Sequence, residues 1–193
     1  MIADEGTLDL ILRNARSYGD FEDKPVPDEL LRAAHDLMKW GPTTANSQPM
    51  RVLYLKSQES REKLRPALSP TNAAKTMKAP LVAIVAYDTK FWEHLPRLFH
   101  NPDAINWYNK PPVAEIHGFR NGSLQGAYLI LALRAVGLDC GAMSGFDNAK
   151  ADAAFFPDGR CKSNFLVNIG YGTGKGIAPR NPRLTFEETC RFV

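Results

Sequence analysis

The chain has 193 residues, 44% hydrophobic and 23% charged, a composition that supports a folded domain and excludes a disordered chain. A net charge of +3, with no run of Lys or Arg interleaved with aromatics, gives no phosphate-tracking stripe, so nucleic acid is not expected as a partner. The start, Met1-Ile-Ala-Asp-Glu5, lacks the basic region of a secretory signal, and the longest apolar stretch, Ala127 to Val136, is broken by Arg134 and is too short for a membrane span.

In chain order, Leu8, Ile11, Leu12 and Ala15 follow helical spacing, with Thr7 as N-cap. A second helix fits Asp28 to Trp40, with Leu30, Leu31, Ala34, Leu37 and Met38 as its apolar face, and it stops at Gly41-Pro42. A polar loop, Thr43 to Pro49, leads to a strand over Arg51–Leu55. A short helix over Glu59–Leu68 and a buried strand over Leu81–Ala86 follow. Thr89 to Val113, rich in Pro, Asn and aromatics, reads as an irregular segment able to act as a lid. Ala114 to Val136 reads as a long helix ending at Gly137. Its second half is apolar almost all round and needs cover from this chain or from a second copy. Asn148–Phe155 reads as a helix and Phe165–Gly170 as the last strand. Ile177 to Val193 reads as an arm laid over another surface. Helices and strands mix without regular alternation, which makes the class α+β, one domain over residues 1–193.

Several motifs are set aside. Gly170-Tyr-Gly-Thr-Gly-Lys-Gly176 follows a strand, but two prolines within Ile177–Pro182 prevent a helix start, so the dinucleotide fingerprint fails its context. His35, His94, His100 and His117 have no metal-ligand spacing, and His35 reads as a structural residue on an apolar helix. Cys140, Cys161 and Cys190 read as reduced thiols of a cytoplasmic protein. Three polar clusters remain: Arg16-Ser17, the uncharged loop Gly41–Pro49, and the basic stretch Lys175 to Arg183.

The order of these clusters resembles the nitroreductase family over nearly the whole chain. Arg16-Ser17-Tyr-Gly19 resembles the family's opening Arg-Ser pattern, and Gly41-Pro-Thr-Thr-Ala-Asn-Ser-Gln-Pro49 its most specific loop. Asn72-Ala-Ala-Lys75 before Ala79-Pro80, the helix end Ala132 to Leu138, the turn Gly141–Asp147, Ile169-Gly-Tyr171 and Pro179-Arg-Asn-Pro182 continue the likeness. Met38–Asn46, Phe119-Arg-Asn121, Met143–Asp147, Lys162-Ser-Asn164 and Arg183–Glu188 resemble its malonic semialdehyde reductase branch in particular.

The resemblance implies a mainly antiparallel sheet flanked by helices in an intertwined homodimer. It also implies flavin mononucleotide (FMN) as cofactor and NADPH or NADH as electron donor, with ping-pong hydride transfer through flavin N5 and no protein nucleophile. Arg16, Ser17 and Arg180 would hold the phosphate, with Lys175 assisting. Asn46 and Gln48 would lie near the ring and ribityl chain, Asn72 at the pyrimidine edge, and Lys75 beside it. Backbone groups of Met143, Ser144 and Gly145 would face the ring. Gly19 stands where the family carries a second basic residue, and Ser144 where many members carry Glu. The branch implies reduction of malonic semialdehyde to 3-hydroxypropanoate in pyrimidine breakdown, with Arg120 receiving the carboxylate or forming a salt bridge at the helix start. The alternatives are a broad nitro-, quinone- or enal reductase and a flavin-binding protein without turnover.

Overall fold

The computed structural model describes residues 2–193. Its frame is a four-stranded antiparallel sheet of β1 (Met50–Leu55), β2 (Leu81–Asp88), β3 (Asp139–Met143) and β4 (Cys161–Gly170), in the order β1-β2-β4-β3. Every residue of β2 is buried, as its unbroken apolar run requires of a strand with a neighbour on each side and helices on both faces. The helices are α1 (Glu5–Leu8), α2 (Asp28–Met38), α3 (Gln58–Leu64), α4 (Pro70–Lys78), α5 (Leu95–Leu98), α6 (Ile105–Tyr108), α7 (Pro111–Ala135), α8 (Asn148–Phe155) and α9 (Phe186–Thr189).

The pleat divides the core in two. Leu81, Ala83, Val85, Val167 and Ile169 pack with Leu31, Ala34 and Met38 of α2 and Leu129 and Leu133 of α7. The alternate residues Val82, Ile84 and Leu166 pack on the other face with Leu64, Ala67, Ala79 and Ala151, brought by α3, α4 and α8 and the turns beside them. α7 lies close on the sheet because Gly118, Gly122 and Gly126 recur every fourth residue. A Cβ on Gly126 would stand 2.4 Å from the Phe165 ring, and one on Gly118 would stand 2.7 Å from Tyr87. These glycines cost α7 about 1 kcal/mol of helix propensity each. The close packing they allow offsets that cost.

Several expectations are corrected. The first helix is capped by Asp4, whose carboxylate accepts from the Thr7 amide at 2.9 Å, and it passes into a π-turn over Asp9–Arg13. Asp4, one turn earlier than Thr7, leaves its side chain free for the orphan amide. α2 ends at Met38, two residues early, leaving Leu37 and Trp40 exposed, and His35 is exposed rather than structural. Residues 89–113 are built from short helical turns around a core of Phe91, Leu95, Ala104 and Tyr108, so the segment is ordered by its aromatics. α7 begins at Pro111, where proline suits a first turn that needs no amide donor. β4 begins four residues earlier than Phe165, and β3 has too little apolar content to announce itself. The tail carries the short α9, closed by a Thr185–Glu188 capping box.

Candidate functional site

The sheet's β3 edge is extended by the segment after the first helix. Ser17 bridges Cys140 in parallel, and the Tyr18 amide donates to the Cys140 carbonyl at 3.0 Å. The two backbones touch so closely that a Cβ on Gly141 would stand 2.1 Å from the Tyr18 carbonyl oxygen. This segment carries Arg16 to one end of β3 and Gly19 toward α4. Three residues of extended chain separate those two by about 10 Å.

At the Arg16 end is a cavity of about 470 Å³, lined by Leu12, Ala15, Arg16, Ser17, Arg134, residues 176–181 and Arg183. Arg16 donates to the Ala178 carbonyl. Arg180 donates to the Arg13 carbonyl and, at 3.1 Å, to that of Ala15. Arg134, in the last turn of α7, donates to the Ile11 carbonyl at 3.0 Å. The arginine ion pairs among the described residues belong to Arg13, Arg51, Arg65 and Arg160, and to none of these four. Four arginines and a serine line one cavity with no carboxylate among its lining residues, a set of donors whose chemistry suits a multiply charged anion. Lys175 is exposed and does not line the cavity, whereas its neighbour Gly176 does.

At the other end Gly19 abuts Lys75, whose Cδ would lie 3.8 Å from an added Cβ. Asn72, buried on α4, donates from Nδ2 to the Gly145 carbonyl at 2.9 Å, and the Ser69 amide donates to the same oxygen at 3.1 Å. A Cβ on Gly145 would meet Asn72 Nδ2 at 2.5 Å, so the turn after β3 is seated against α4 with no room for a side chain there. Met143 is fixed by Thr76, whose hydroxyl lies 3.4 Å from its sulfur, and Ser144 accepts the Phe146 amide at 2.9 Å. Asn72, Lys75, Gly19 and the Met143–Gly145 turn are thus gathered in one neighbourhood. Burial pushes the Cys140 thiol, beneath this edge, up to about 12, which makes it inert.

Asn46 and Gln48 lie in neither group. Their loop has three non-glycine residues in the left-handed region: Ala45 (φ 49°), Asn46 (φ 49°) and Gln48 (φ 42°). It is held in that shape from α7. Asn121 accepts the Thr44 amide at 2.8 Å, Gln125 accepts the Met50 amide at 3.0 Å, and the Tyr128 hydroxyl donates to Pro42 at 3.2 Å. Asn46 donates to the Leu98 carbonyl at 2.9 Å, tying the loop to residues 89–113, and accepts from Gln48 at 2.9 Å. Arg120, beside Asn121, is exposed and makes none of the ion pairs found among the described residues, so the expected salt bridge at the helix start is not formed. Burial, and secondarily the Arg120 charge, push the neighbouring His117 imidazole below its ordinary value.

Sequence reading missed Arg134, Asn121 and Gln125. A lone arginine in an otherwise apolar helix stretch is the signal that could have found the first. Asn121 stands in the sequence only within the Phe119-Arg-Asn121 likeness, and Gln125 carries no signal until the loop it holds is seen.

The fold and the cavity together define an α+β protein with an arginine-lined cavity beside a sheet edge and a close-packed turn one segment away. The chain belongs to the nitroreductase family, whose model matches residues 12–171. It is 55% identical over 186 residues to a Xanthomonas oryzae protein with the provisional name NADH dehydrogenase/NAD(P)H nitroreductase, covering 96% of this chain and 95% of that one. The fold is similar to that of a Bacillus subtilis protein provisionally named a nitroreductase (TM-score 0.88, 19% identity, 98% of this chain and 100% of that one). It is also similar to an Exiguobacterium sibiricum protein, provisionally named in the same way, solved in complex with FMN (TM-score 0.86, 19% identity, 100% and 99%).

Proposed function

We propose that the chain is an FMN-dependent NAD(P)H oxidoreductase. The observation that carries this reading is the carboxylate-free cavity of Arg16, Ser17, Arg134, Arg180 and Arg183, joined through the Tyr18 segment to the Asn72, Lys75 and Gly145 neighbourhood. The residues fit the cofactor. Arg16, Ser17 and Arg180 take the phosphate, Asn72 and Lys75 take the polar edge of the ring, and the Met143–Gly145 backbone faces it. FMN held by these residues would supply the redox chemistry, passage of a hydride from a reduced nicotinamide to a second substrate. The chain's own part is to bind, orient and exclude water. Lys75 would place a cation where negative charge develops on reduction, and the Asn72–Gly145 bond fixes the turn beside it. An absorbance spectrum, taken before and after anaerobic NADPH, tests the reading. Flavin bands that bleach support it, and a protein that takes up no FMN removes it.

The site lies in a homodimer. The exposed α7 residues Ile116, Phe119 and Leu124, the exposed tail residues Leu184, Phe186 and Phe192, and the unpaired outer edge of β1 are apolar or hydrogen-bonding surface suited to a second copy. A groove of about 750 Å³ between α2 and β1, floored by Leu31, Met38, Met50, Val52 and Leu129 and reached by Gln48, suits the partner's tail. On this reading Asn46 and Gln48 serve the partner's flavin, which accounts for their distance from both groups. Sedimentation of full-length chain against chain ending at residue 183 tests it. A dimer that survives the truncation unchanged argues against the tail's part in it.

The substrate is malonic semialdehyde, with Arg120 receiving its carboxylate. Support comes from Arg120 being exposed, free of an ion pair, and next to the Asn121 that holds the Gly41–Pro49 loop. Arg120→Ala then loses turnover while retaining flavin. The second reading, a nitroreductase of broad range, is favoured by the name of the Xanthomonas relative. Relative kcat/KM for the semialdehyde, a nitroaromatic and a quinone separates the two.

A further inference from the structure

Arg134 stands apart from the other cavity arginines. It projects from α7, in a stretch whose neighbours Leu129, Ala132 and Leu133 are buried among apolar side chains, and it reaches the same cavity as Arg16 and Arg180 from a third wall. A cation in the last turn of a helix is favoured by the helix dipole, but an exposed position would serve that purpose. A purely structural part, fastening the first helix, is served by its bond from Nη1 to the Ile11 carbonyl. Neither role explains why Nε is buried with no hydrogen-bond partner among the described residues, nor why a half-buried guanidinium is placed beside three others in a cavity lined by no carboxylate, while the neighbouring Asp139 carboxylate is taken up by the Gly172 amide. A half-buried cation without an ion-pair partner lowers the stability of the free chain and is relieved when an anion binds.

We propose that Arg134 is a phosphate-selecting residue, the third wall of the anion receptor, which makes the cavity prefer a phosphorylated flavin to the same flavin without its phosphate. The proposal rests on the flavin reading for the identity of the ligand, and on the cavity alone for its charge. Arginine-to-carbonyl bonds already link the three walls: Arg180 to residues 13 and 15, Arg16 to residue 178, Arg134 to residue 11. A phosphate held by Arg134 ties α7 to the two chain segments that flank it.

The experiment measures binding of FMN and of riboflavin by flavin fluorescence, with the full chain stripped of cofactor, for wild type, Arg134→Gln, Arg134→Lys and the distant surface control Arg65→Gln. Loss of one charge-assisted contact in Arg134→Gln lowers FMN affinity at least about tenfold. Riboflavin affinity stays level, Arg134→Lys falls between, and the control is unchanged. An equal loss for both flavins makes Arg134 a structural fastener and overturns the proposal, as does no loss for either. The melting temperature of each variant in rising inorganic phosphate gives a reading independent of flavin. A phosphate-dependent rise in wild type that is lost in Arg134→Gln supports the proposal even if neither flavin binds, in which case only the flavin reading fails. Identical rises in both proteins overturn it.

Discussion

Two groups of arginines lie at opposite ends of the sheet and show how the same side chain serves different purposes. At the end of β2, the side chain of Asp88 is 3% exposed and is enclosed by basic side chains. Arg51 Nη2 lies 2.7 Å from one oxygen, Arg160 engages both at 2.7 and 3.1 Å, and His94 lies at 3.4 Å. The Lys90 amide adds a bond of 2.8 Å, and Arg160 continues to Glu93 at 2.7 Å, which fastens the start of residues 89–113 to the strands. That cluster is complete in itself. At the β3 end Arg16, Arg134, Arg180 and Arg183 line a cavity, and none of them has an ion-pair partner among the described residues. The first group supports the fold. The second is the group we propose to bind a ligand's negative charge. Substitutions in the two groups separate stability from binding.

The largest effect is expected at Asp88. Asp88→Ala leaves two guanidiniums without their carboxylate and lowers unfolding free energy by about 3–5 kcal/mol in denaturant titration, with FMN affinity of the folded fraction unchanged. In the opposite pattern, the double substitution Arg16→Ala with Arg180→Ala removes two charge-assisted contacts. It weakens FMN about a thousandfold in a fluorescence titration and costs the free chain only exposed arginine-to-carbonyl bonds, less than Asp88→Ala costs. A large stability loss in that double variant would erase the contrast.

Acid sharpens the comparison. Burial alone would raise the Asp88 carboxyl, but the Arg160 and Lys90 bonds and the Arg51 charge outweigh it and hold the group below the ordinary value. A carboxylate depressed in the folded state contributes its full stability above the unfolded value of about 3.9 and loses it as pH falls through the lower folded value. Thermal melts of wild type then show a drop in that acid range, which Asp88→Asn removes and the Arg16 and Arg180 substitutions leave in place.

A smaller effect distinguishes the two ends of the ligand. Gly145→Ala puts a methyl 2.5 Å from Asn72 Nδ2 and shifts the turn, so FMN and riboflavin should weaken together, by about tenfold. Unequal losses would place the turn near the phosphate instead. The smallest is Ala45→Gly, at a left-handed position, which relieves about 1 kcal/mol of backbone strain partly offset by unfolded-chain entropy. A small rise in melting temperature checks it.

Much of this was legible in the sequence. The buried run Leu81–Ala86, the Gly137 stop of α7 and the amphipathic α2 follow from hydrophobic period and end signals. Arg16, Ser17 and Arg180 are linked in the sequence only through family likeness, since each alone reads as a solvated surface residue, and the fold brings them to one cavity. What stayed hidden depends on three-dimensional contact. β3 has a glycine and an aspartate where a strand pattern needs apolar residues, because its edge is covered by Tyr18. The short turns of residues 89–113 are held by tertiary packing of Phe91 and Tyr108, below the length at which local propensity speaks. Arg134 looked like a break in an apolar helix until the cavity gave it a direction.

The most direct test of the central claim is a titration of the stripped, full-length chain with FMN, followed by anaerobic NADPH and absorbance. Stoichiometric uptake of FMN in preference to riboflavin, and bleaching of the bound flavin by NADPH, are the expected results. A chain that takes up neither flavin, or binds FMN no better than riboflavin, would contradict the assignment of the arginine cavity as a phosphate receptor.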